Sequence, residues 1–381
     1  MMRAISDPMN PALWDTAISE DDRALFAAVV STDLTEAQLA DLANPRLVLP
    51  GQHSVMATHW HPEFVPMPTI RARIEAMFPN RNEALIIPTQ HNEILDYDEF
   101  SGVEVDCYSH GFNQKVQLLL HFKTSHLGEA HTLRAMLRHT MTYRASQLFD
   151  FMHTLTAPLE DRLEEAARET GADLDLVEFV RRHVTKIQRM VEEEQGNLPV
   201  DALKNKLLRN YFDALRQTFD DTLIDRAQTF LTAVKAIVKR HFSLHYFYRA
   251  SEIIEESRAL GAGIVIPHPE QFWPILLADY DVDGYEVWNP QSQRYTDFLI
   301  AAVGRANACP GLSTRRKLVF MGDDTHMGEK TKTPGTQNPE KARREIGYQP
   351  AWDDLDISKR LILSGMSREI VIREYRERLN G

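Results

Sequence analysis

Two histidines separated by one residue, His59 and His61, follow a short apolar stretch of the chain. On an extended strand, side chains two positions apart project to the same face, so these two imidazoles converge while Trp60 points to the opposite face. A neutral imidazole is the commonest protein ligand for a metal ion. The spacing therefore predicts that His59 and His61 bind one metal ion together. A chain with 15 histidines also produces this spacing by chance, so further residues must support the prediction.

Further candidate ligands lie at the ends of other predicted strands. One apolar strand is followed by His91, and a second, entered through a Gly-rich turn, ends at His268. The last predicted strand leads into Asp324 and His326, whose side chains share one face because they are two positions apart. Since the sites of an α/β barrel lie at the carboxyl ends of its strands, we expect these groups to lie close together.

A carboxylate lies inside another predicted strand, where Glu104 stands between Val103 and Val105. An unpaired charge in such a strand would be costly, and a bound metal ion would remove that cost. In the following strand, Gln117 and His121 share one face and could reach the same site. We therefore include Glu104 and His121 among the predicted metal ligands.

The rest of the sequence predicts helices and divides the chain into segments. Apolar residues recur at alternating spacings of three and four within 177–191 and 223–237, which is typical of packed antiparallel helices. We interpret the histidines of this region as exposed or structural; they are His139, His153, His183, His241 and His245. The predicted segments are an N-terminal helical segment (1–46), a barrel formed by 47–126 and 259–350, a helical insertion (127–258) and C-terminal helices (351–381).

Two polar segments are interpreted as loops. Residues 328–350 contain Gly and Pro and predict a mobile loop before the C-terminal helices. The acidic cluster formed by Asp279, Asp281, Asp283 and Glu286 predicts a solvated loop rather than a metal site.

Composition limits the class of protein and its location. The net charge of −12 argues against general binding to nucleic acid or to an anionic membrane. Two cysteines are too few for a disulfide framework, and the chain shows neither a signal peptide nor an apolar run long enough to cross a bilayer. We therefore expect a cytoplasmic protein.

Taken in order, five motifs resemble those of the PHP (polymerase and histidinol phosphatase) family: Thr58–His61, Thr89–Asn92, Gly102–Glu104, Gly263–Pro269 and Gly322–His326. The resemblance covers residues 47–121 and 250–327. It implies an α/β fold, a distorted (β/α)7-type barrel with a large α-helical insertion, which binds two or three metal ions and hydrolyses phosphate esters.

The resemblance also implies roles for individual residues. His59, His61 and Asp324 would bind a first ion, Glu104 would bridge to a second held by His268, and His91 and His326 would serve a third position. Asp324 and His326 would be the catalytic residues. Three departures from the family pattern predict fewer than three ions: Gln90 replaces an aspartate, Gln117 replaces a histidine, and no histidine follows shortly after His61.

The predicted function is hydrolysis of a small phosphorylated metabolite or nucleotide with two divalent ions (Zn, Mn or Fe). Arginines next to the motif loops are candidates for substrate binding; they are Arg71, Arg73, Arg315 and Arg316. Two alternatives stay open: an amidohydrolase-type C–N hydrolase, and a non-catalytic barrel with depleted metal sites that binds another protein. The helical insertion could also form a homo-oligomer.

Overall fold

The computed structural model describes residues 16–194, 196–199, 202–308, 315–332, 335 and 337–381. The chain divides into two compact units. The helical unit comprises the described residues up to Asp33 together with those of Thr142–Ser243, and the α/β unit comprises Leu34–Met141 and the described residues from Leu244 onwards. None of the helices in the described residues combines the length and apolar character that a bilayer crossing requires.

Helices account for most of the regular structure. Those in the described residues are α1 (Glu20–Val30), α2 (Glu36–Ala43), α3 (Met67–Met77), α4 (His131–Thr156), α5 (Glu160–Thr170), α6 (Leu174–Glu193), α7 (Lys206–Ala214), α8 (Asp221–His241), α9 (Ala250–Ala259), α10 (Thr296–Ala308), α11 (Met327–Lys330), α12 (Pro339–Ala342), α13 (Leu355–Leu363) and α14 (Arg368–Asn380).

The strands of the described residues all belong to the α/β unit. They are β1 (Ser54–Ala57), β2 (Trp60–His61), β3 (Glu83–Ile86), β4 (Leu95–Tyr97), β5 (Phe100–Ser109), β6 (Gln114–Lys123), β7 (Gly263–Ile266), β8 (Gly284–Trp288), β9 (Leu318–Met321) and β10 (Thr325–His326).

The helical unit contains α1, which the sequence had placed in a separate segment of residues 1–46. Ser19 begins the helix with a capping box, as its position before three acidic residues predicts. Phe26 is fully buried in the core that α6 and α8 form, and Asp22 forms a 2.8 Å ion pair with Lys186 of α6. Apolar burial and this ion pair therefore connect α1 to the helical unit, although many intervening residues separate them in sequence.

The predicted helical seams are confirmed as core positions of α6 and α8. Val180, Val184 and Ile187 are fully buried in α6, and Phe230 and Val234 are fully buried in α8. Each helix also carries exposed charged residues, such as Glu192 in α6 and Asp225 in α8, so each is amphipathic and could not bury its apolar stripe alone. The seams therefore stabilise this unit by packing against each other.

One histidine of the helical unit is structural, as predicted. The imidazole of His183 is buried and contacts the rings of Phe179, Phe212 and Phe219 at centroid distances of 4.7, 5.9 and 5.5 Å. Burial in this aromatic environment lowers the pKa of His183 to about 3. The side chain is therefore neutral in the folded protein at neutral pH.

We expect the stability of the helical unit to fall as the pH drops from about 6.5 towards 4. The unfolded chain takes up a proton on His183 near its ordinary pKa of about 6.5, whereas the folded chain does not. The free energy of unfolding therefore falls by up to about 1.4 kcal/mol for each pH unit below about 6.5. Denaturant titrations at several pH values measure this slope. His183→Leu should remove that part of the slope, and an unchanged slope in the variant would contradict the assignment.

The α/β unit contains three sheets. The largest has the order β4-β5-β6-β7-β8-β9, with antiparallel pairing from β4 to β7 and parallel pairing from β7 to β9. The other two are parallel pairs, β1 with β3 and β2 with β10. Strands β1, β7, β8 and β9 are buried along their whole length, which is typical of a sheet covered on both faces.

Backbone hydrogen bonds also join the three sheets to one another. They run from Thr89 N to Trp60 O (2.8 Å), from Glu104 N to Gln90 O (3.0 Å) and from Asp324 N to His59 O (2.9 Å). Most of these residues lie in loops directly beside the strands, so the bonds hold strand ends of different sheets close together. The distorted (β/α)7-type barrel stays a prediction.

The C-terminal region differs in part from its prediction. The two terminal helices are confirmed as α13 and α14. The segment before them, predicted to be a mobile loop, instead packs into the unit: Ile346 is fully buried, and the buried Gln349 donates to Met56 O at 2.7 Å. Apolar contacts and buried hydrogen bonds therefore fix residues 344–349, which their polar sequence did not indicate.

Candidate metal centre

Seven of the eight predicted metal ligands converge in the α/β unit. Their side chains form three overlapping groups, and within each group the ligand atoms lie within 4.8 Å of one another. The groups are His59 with His61 and Asp324, His59 with Glu104 and His268, and His61 with His91 and His326. Because these residues come from different strands and from the loops beside them, only the folded sheet arrangement brings them together.

Asp324 lies at the centre of the first group. Its Oδ1 atom is 3.6 Å from His59 Nε2, 3.4 Å from His61 Nε2 and 3.4 Å from His326 Nε2. Two donors bound to one Zn²⁺ at about 2.0–2.1 Å in tetrahedral geometry lie roughly 3.3 Å apart. The three separations are close to the spacing expected for donor atoms that bind one ion, and they are longer than a normal hydrogen bond.

Glu104 faces histidines on both sides. Its Oε1 atom lies 3.7 Å from His268 Nε2, and its Oε2 atom lies 3.7 Å from His61 Nε2 and 2.6 Å from His91 Nδ1. Each carboxylate oxygen thus belongs to a different set of imidazoles. This arrangement suits a carboxylate that bridges two ions.

Several ring nitrogens of the donor groups are buried and lack a hydrogen bond. Among the described residues, no hydrogen-bond partner is present for His59 Nε2 or for either ring nitrogen of His61, and both residues are at most 1% exposed. A buried polar atom without a partner is unfavourable by about 1–3 kcal/mol. Imidazole nitrogens beside carboxylates fit divalent cations such as Zn²⁺, which would satisfy the Nε2 atoms of His59 and His61.

The charges of the group also suit a cation. Burial, together with the facing His326 and His91, lowers the pKa of His61 to about 3, so this imidazole is neutral as a ligand must be. Burial opposes charge on His59 as well, but the surrounding carboxylates, above all Glu286, outweigh burial and raise its pKa to about 10. An ion bound at His59 would therefore displace a proton.

Glu286 holds two of the ligands and was missed from the sequence. Its Oε1 atom accepts a 2.7 Å hydrogen bond from His59 Nδ1, and its Oε2 atom accepts a 2.8 Å bond from the backbone N–H of His268. A Cβ atom on Gly322 would overlap Glu286 Oε1, so glycine leaves the space for this carboxylate. Carboxylates that orient a metal-binding histidine through its second nitrogen are common in metal sites.

The second carboxylate oxygen of Asp324 is held by residues that the sequence also did not indicate. Arg344 Nη1 and Gln291 Nε2 each donate to Oδ2 at 2.6 Å. The backbone of Asp324 has a positive φ of 48°, which turns the side chain away from regular strand alternation. Similarly, Glu63 Oε1 lies 3.1 Å from His326 Nδ1 and orients that ring.

His121 is a correction to the predicted ligand set. It is fully buried, but its Nε2 donates to Thr58 O at 2.9 Å and its Nδ1 lies 2.7 Å from the hydroxyl of Tyr375. Burial lowers the pKa of His121 to about 3, so the ring is neutral and both nitrogens are already hydrogen-bonded. The predicted role of His121 as a metal ligand is therefore wrong, and its role is to connect α14 to the sheet.

Two of the four predicted substrate-binding arginines are engaged on the side of α3. Arg71 is half-exposed, forms a 2.5 Å ion pair with Asp98 and stacks over the ring of Tyr97. Arg73 is buried and binds both carboxylate oxygens of Glu345, at 2.9 and 2.6 Å. These contacts engage both guanidinium groups away from the metal ligands, so the structure does not assign either arginine to a substrate site.

The other two arginines lie near the C-terminal helices. Arg315 is more than half exposed, at 3.9 Å from Asp283. Arg316 donates to the carbonyl groups of Ser364 and Gly365 at 2.6 and 2.9 Å. Neither arginine contacts the metal ligands, and their predicted role in substrate binding is not supported by their positions.

The acidic cluster was interpreted incorrectly in part. Asp279 and Asp281 are exposed, but Asp283 and Glu286 are buried. Asp283 pairs with Arg258 at 2.7 Å and with Arg378 at 2.9 Å. The apolar neighbours of Glu286 in β8 were the available signal, because a carboxylate inside a buried strand needs a partner.

We expect two tightly held metal ions per chain. His59 belongs to two donor groups, but Glu286 engages its Nδ1 atom, so only Nε2 can bind an ion. The two donor groups that share His59 therefore have only one nitrogen of this residue between them, so they cannot each bind a separate ion through His59. Elemental analysis of protein purified without chelator measures the number of metal ions per chain. Three ions per chain would mean that another residue, such as Glu63, completes a third site.

Comparison with solved structures shows a distant similarity. No protein family and no curated protein matches the chain. Among solved structures, a proposed metal-dependent phosphoesterase from Bifidobacterium adolescentis is 15% identical, with a TM-score of 0.40. The similarity covers 84% of this chain and 99% of the other. Similarity at this level does not establish a shared function.

Proposed function

We propose that the protein is a metal-dependent phosphoesterase of the PHP type that acts on a small phosphorylated substrate. The observation that supports this proposal is the convergence of seven His, Asp and Glu side chains into three overlapping donor groups, in which the buried Nε2 atoms of His59 and His61 have no hydrogen-bond partner among the described residues. A purely structural polar cluster would pair these atoms with one another.

Two divalent ions (Zn, Mn or Fe) held here would supply a water of lowered pKa and would neutralise the phosphoryl oxygens. The protein's own contribution is placement. Glu286 fixes the ring of His59, and Arg344 and Gln291 fix the carboxylate of Asp324, so that Oδ1 points into the donor group and can receive a proton. Glu63 holds Nδ1 of His326, which leaves Nε2 to bind an ion or to take up and release a proton.

A metal-dependence screen tests this proposal. Protein purified without chelator is assayed on phosphate esters and on amides, before and after treatment with chelator and after addition of Zn²⁺ or Mn²⁺. We expect phosphate-ester hydrolysis that chelator abolishes and metal restores. Hydrolysis of amides alone would favour an amidohydrolase, and protein with neither metal nor turnover would favour a non-catalytic binding protein.

We also propose that the helical unit mediates homo-oligomer formation. The proposal is supported by the several amphipathic helices that lie together in this insertion. Light scattering of the full chain measures its mass, and a mass of 43.7 kDa would exclude the oligomer.

A further inference from the structure

Arg344 is a buried cation beside the donor groups. It is 6% exposed, and its Nη1 donates to both the backbone oxygen (2.9 Å) and Oδ2 (2.6 Å) of Asp324. The next residue, Glu345, is anchored by Arg73 and by Lys330, whose Nζ lies 3.0 Å from it. The guanidinium is therefore fixed next to a predicted metal ligand.

The other edge of this guanidinium receives no acceptor from the described residues. Nε is buried without a hydrogen-bond partner among the described residues, and both hydrogen bonds of the side chain to described residues leave from Nη1. The Nε and Nη2 hydrogens of an arginine point in the same direction and form a two-pronged donor. An unpaired, fixed two-pronged donor thus remains at the site.

The corresponding edge of Arg73, formed by Nε and Nη2, does have an acceptor. Its Nε and Nη2 donate to the two carboxylate oxygens of Glu345 at 2.9 and 2.6 Å. Arg368 also leaves Nε without an acceptor, but its Nη2 lies 3.0 Å from Asp353. In Arg344 neither Nε nor Nη2 donates to a described residue, so this edge has the geometry to bind an anion with two oxygens at this spacing.

We propose that the Nε and Nη2 edge of Arg344 binds two terminal oxygens of the substrate's phosphoryl group, an inference that rests on the proposed function. A phosphomonoester has three terminal oxygens and so offers one more to the metal ions while the arginine holds two. A phosphodiester has only two. The arginine therefore favours phosphomonoesters over phosphodiesters.

Arg344→Lys tests the proposal, because lysine keeps the positive charge near Asp324 but lacks the planar two-pronged donor. Binding of inorganic phosphate to metal-loaded protein is measured by calorimetry, and turnover is measured with p-nitrophenyl phosphate and bis-p-nitrophenyl phosphate. We expect the dissociation constant for phosphate to rise at least ~10-fold, the effect of one lost charge-assisted contact. Turnover of the monoester should fall by a larger factor than that of the diester.

Gln291→Ala is the matched control, because it removes the other contact to Asp324 Oδ2 without removing a cation. Metal content is measured in every variant. A loss of phosphate affinity in Gln291→Ala that is several-fold smaller than the loss in Arg344→Lys, at equal metal content, supports a direct contact between Arg344 and phosphate. Equal phosphate affinity in wild type and Arg344→Lys, or an equal loss in both variants, would overturn the proposal.

Two further results separate this inference from the proposed function. Wild-type protein that binds phosphate through Arg344 but hydrolyses neither ester would disprove the phosphoesterase and leave the anion site. Should Arg344→Lys fail to fold, a crystal structure of wild-type protein with inorganic phosphate decides. Phosphate oxygens within about 3 Å of Nε and Nη2 support the proposal, and phosphate bound elsewhere overturns it.

Discussion

Replacing Asp324 by asparagine is expected to reduce phosphate-ester turnover at least ~100-fold with the fold retained. The carboxylate accepts from Arg344 and Gln291 through Oδ2 and directs Oδ1 at the histidines. An amide has one NH₂ group, which must face either these two donors or the bound cation. Both orientations oppose metal binding. Turnover and metal content of the purified variant measure the effect.

Asp323→Asn is the control for this substitution. Asp323 is buried and faces away from the donor groups, where it accepts from the backbone N–H groups of Thr325 (3.1 Å) and Gly347 (2.9 Å). We expect this variant to lose about 1–3 kcal/mol of stability, because an amide cannot accept on both sides. It should keep its metal and its turnover. If Asp323→Asn instead loses metal and turnover while Asp324→Asn keeps both, the register assigned to this segment is wrong.

Glu286→Gln is expected to weaken metal binding by about 10–100-fold, the usual effect of losing a residue that orients a ligand. The carboxylate accepts from His59 on one oxygen and from the backbone of His268 on the other. Glutamine can accept on only one side, so its NH₂ group faces an N–H donor on the other. The ring of His59 or the backbone of His268 must therefore shift. Competition with a metal-binding dye measures the affinity.

Asp283→Asn distinguishes this effect from a general loss of stability. Asp283 is also fully buried and lies three positions before Glu286, but its partners are Arg258 and Arg378 rather than metal ligands. We expect its replacement to lower the thermal midpoint with little change in metal affinity. If both variants bind metal as the wild type does, Glu286 does not position the ligands.

Strand periodicity and the positions of apolar runs, which are properties of short segments, were sufficient to predict most of the metal ligands. His59 and His61 share a face because strands repeat every two residues, and His268 follows a buried strand because apolar runs end where the chain reaches the sheet edge. Helix ends were equally predictable where the signal is local. Ser19 and Thr35 each form the expected capping box with the residue three positions later.

Residues that orient the ligands depend on contacts between distant parts of the chain. Glu286 is 227 positions from His59, and no local pattern specifies that two such side chains meet. The same dependence on distant contacts applies to the arginines, because no local sequence pattern distinguishes Arg73 from Arg344. Glu345 accepts from Nε and Nη2 of Arg73, whereas no described residue accepts from Nε of Arg344.

By itself, the sequence determined which strand ends carry histidine and carboxylate, since periodicity and flanking residues are properties of short segments. Only the tertiary structure decided that His121 is hydrogen-bonded on both nitrogens, that α1 packs with α6 and α8, and that Arg344 lies beside Asp324. The physical reason is that burial and hydrogen-bond partners are set by the whole chain, and these determine whether a polar side chain is free to bind a ligand.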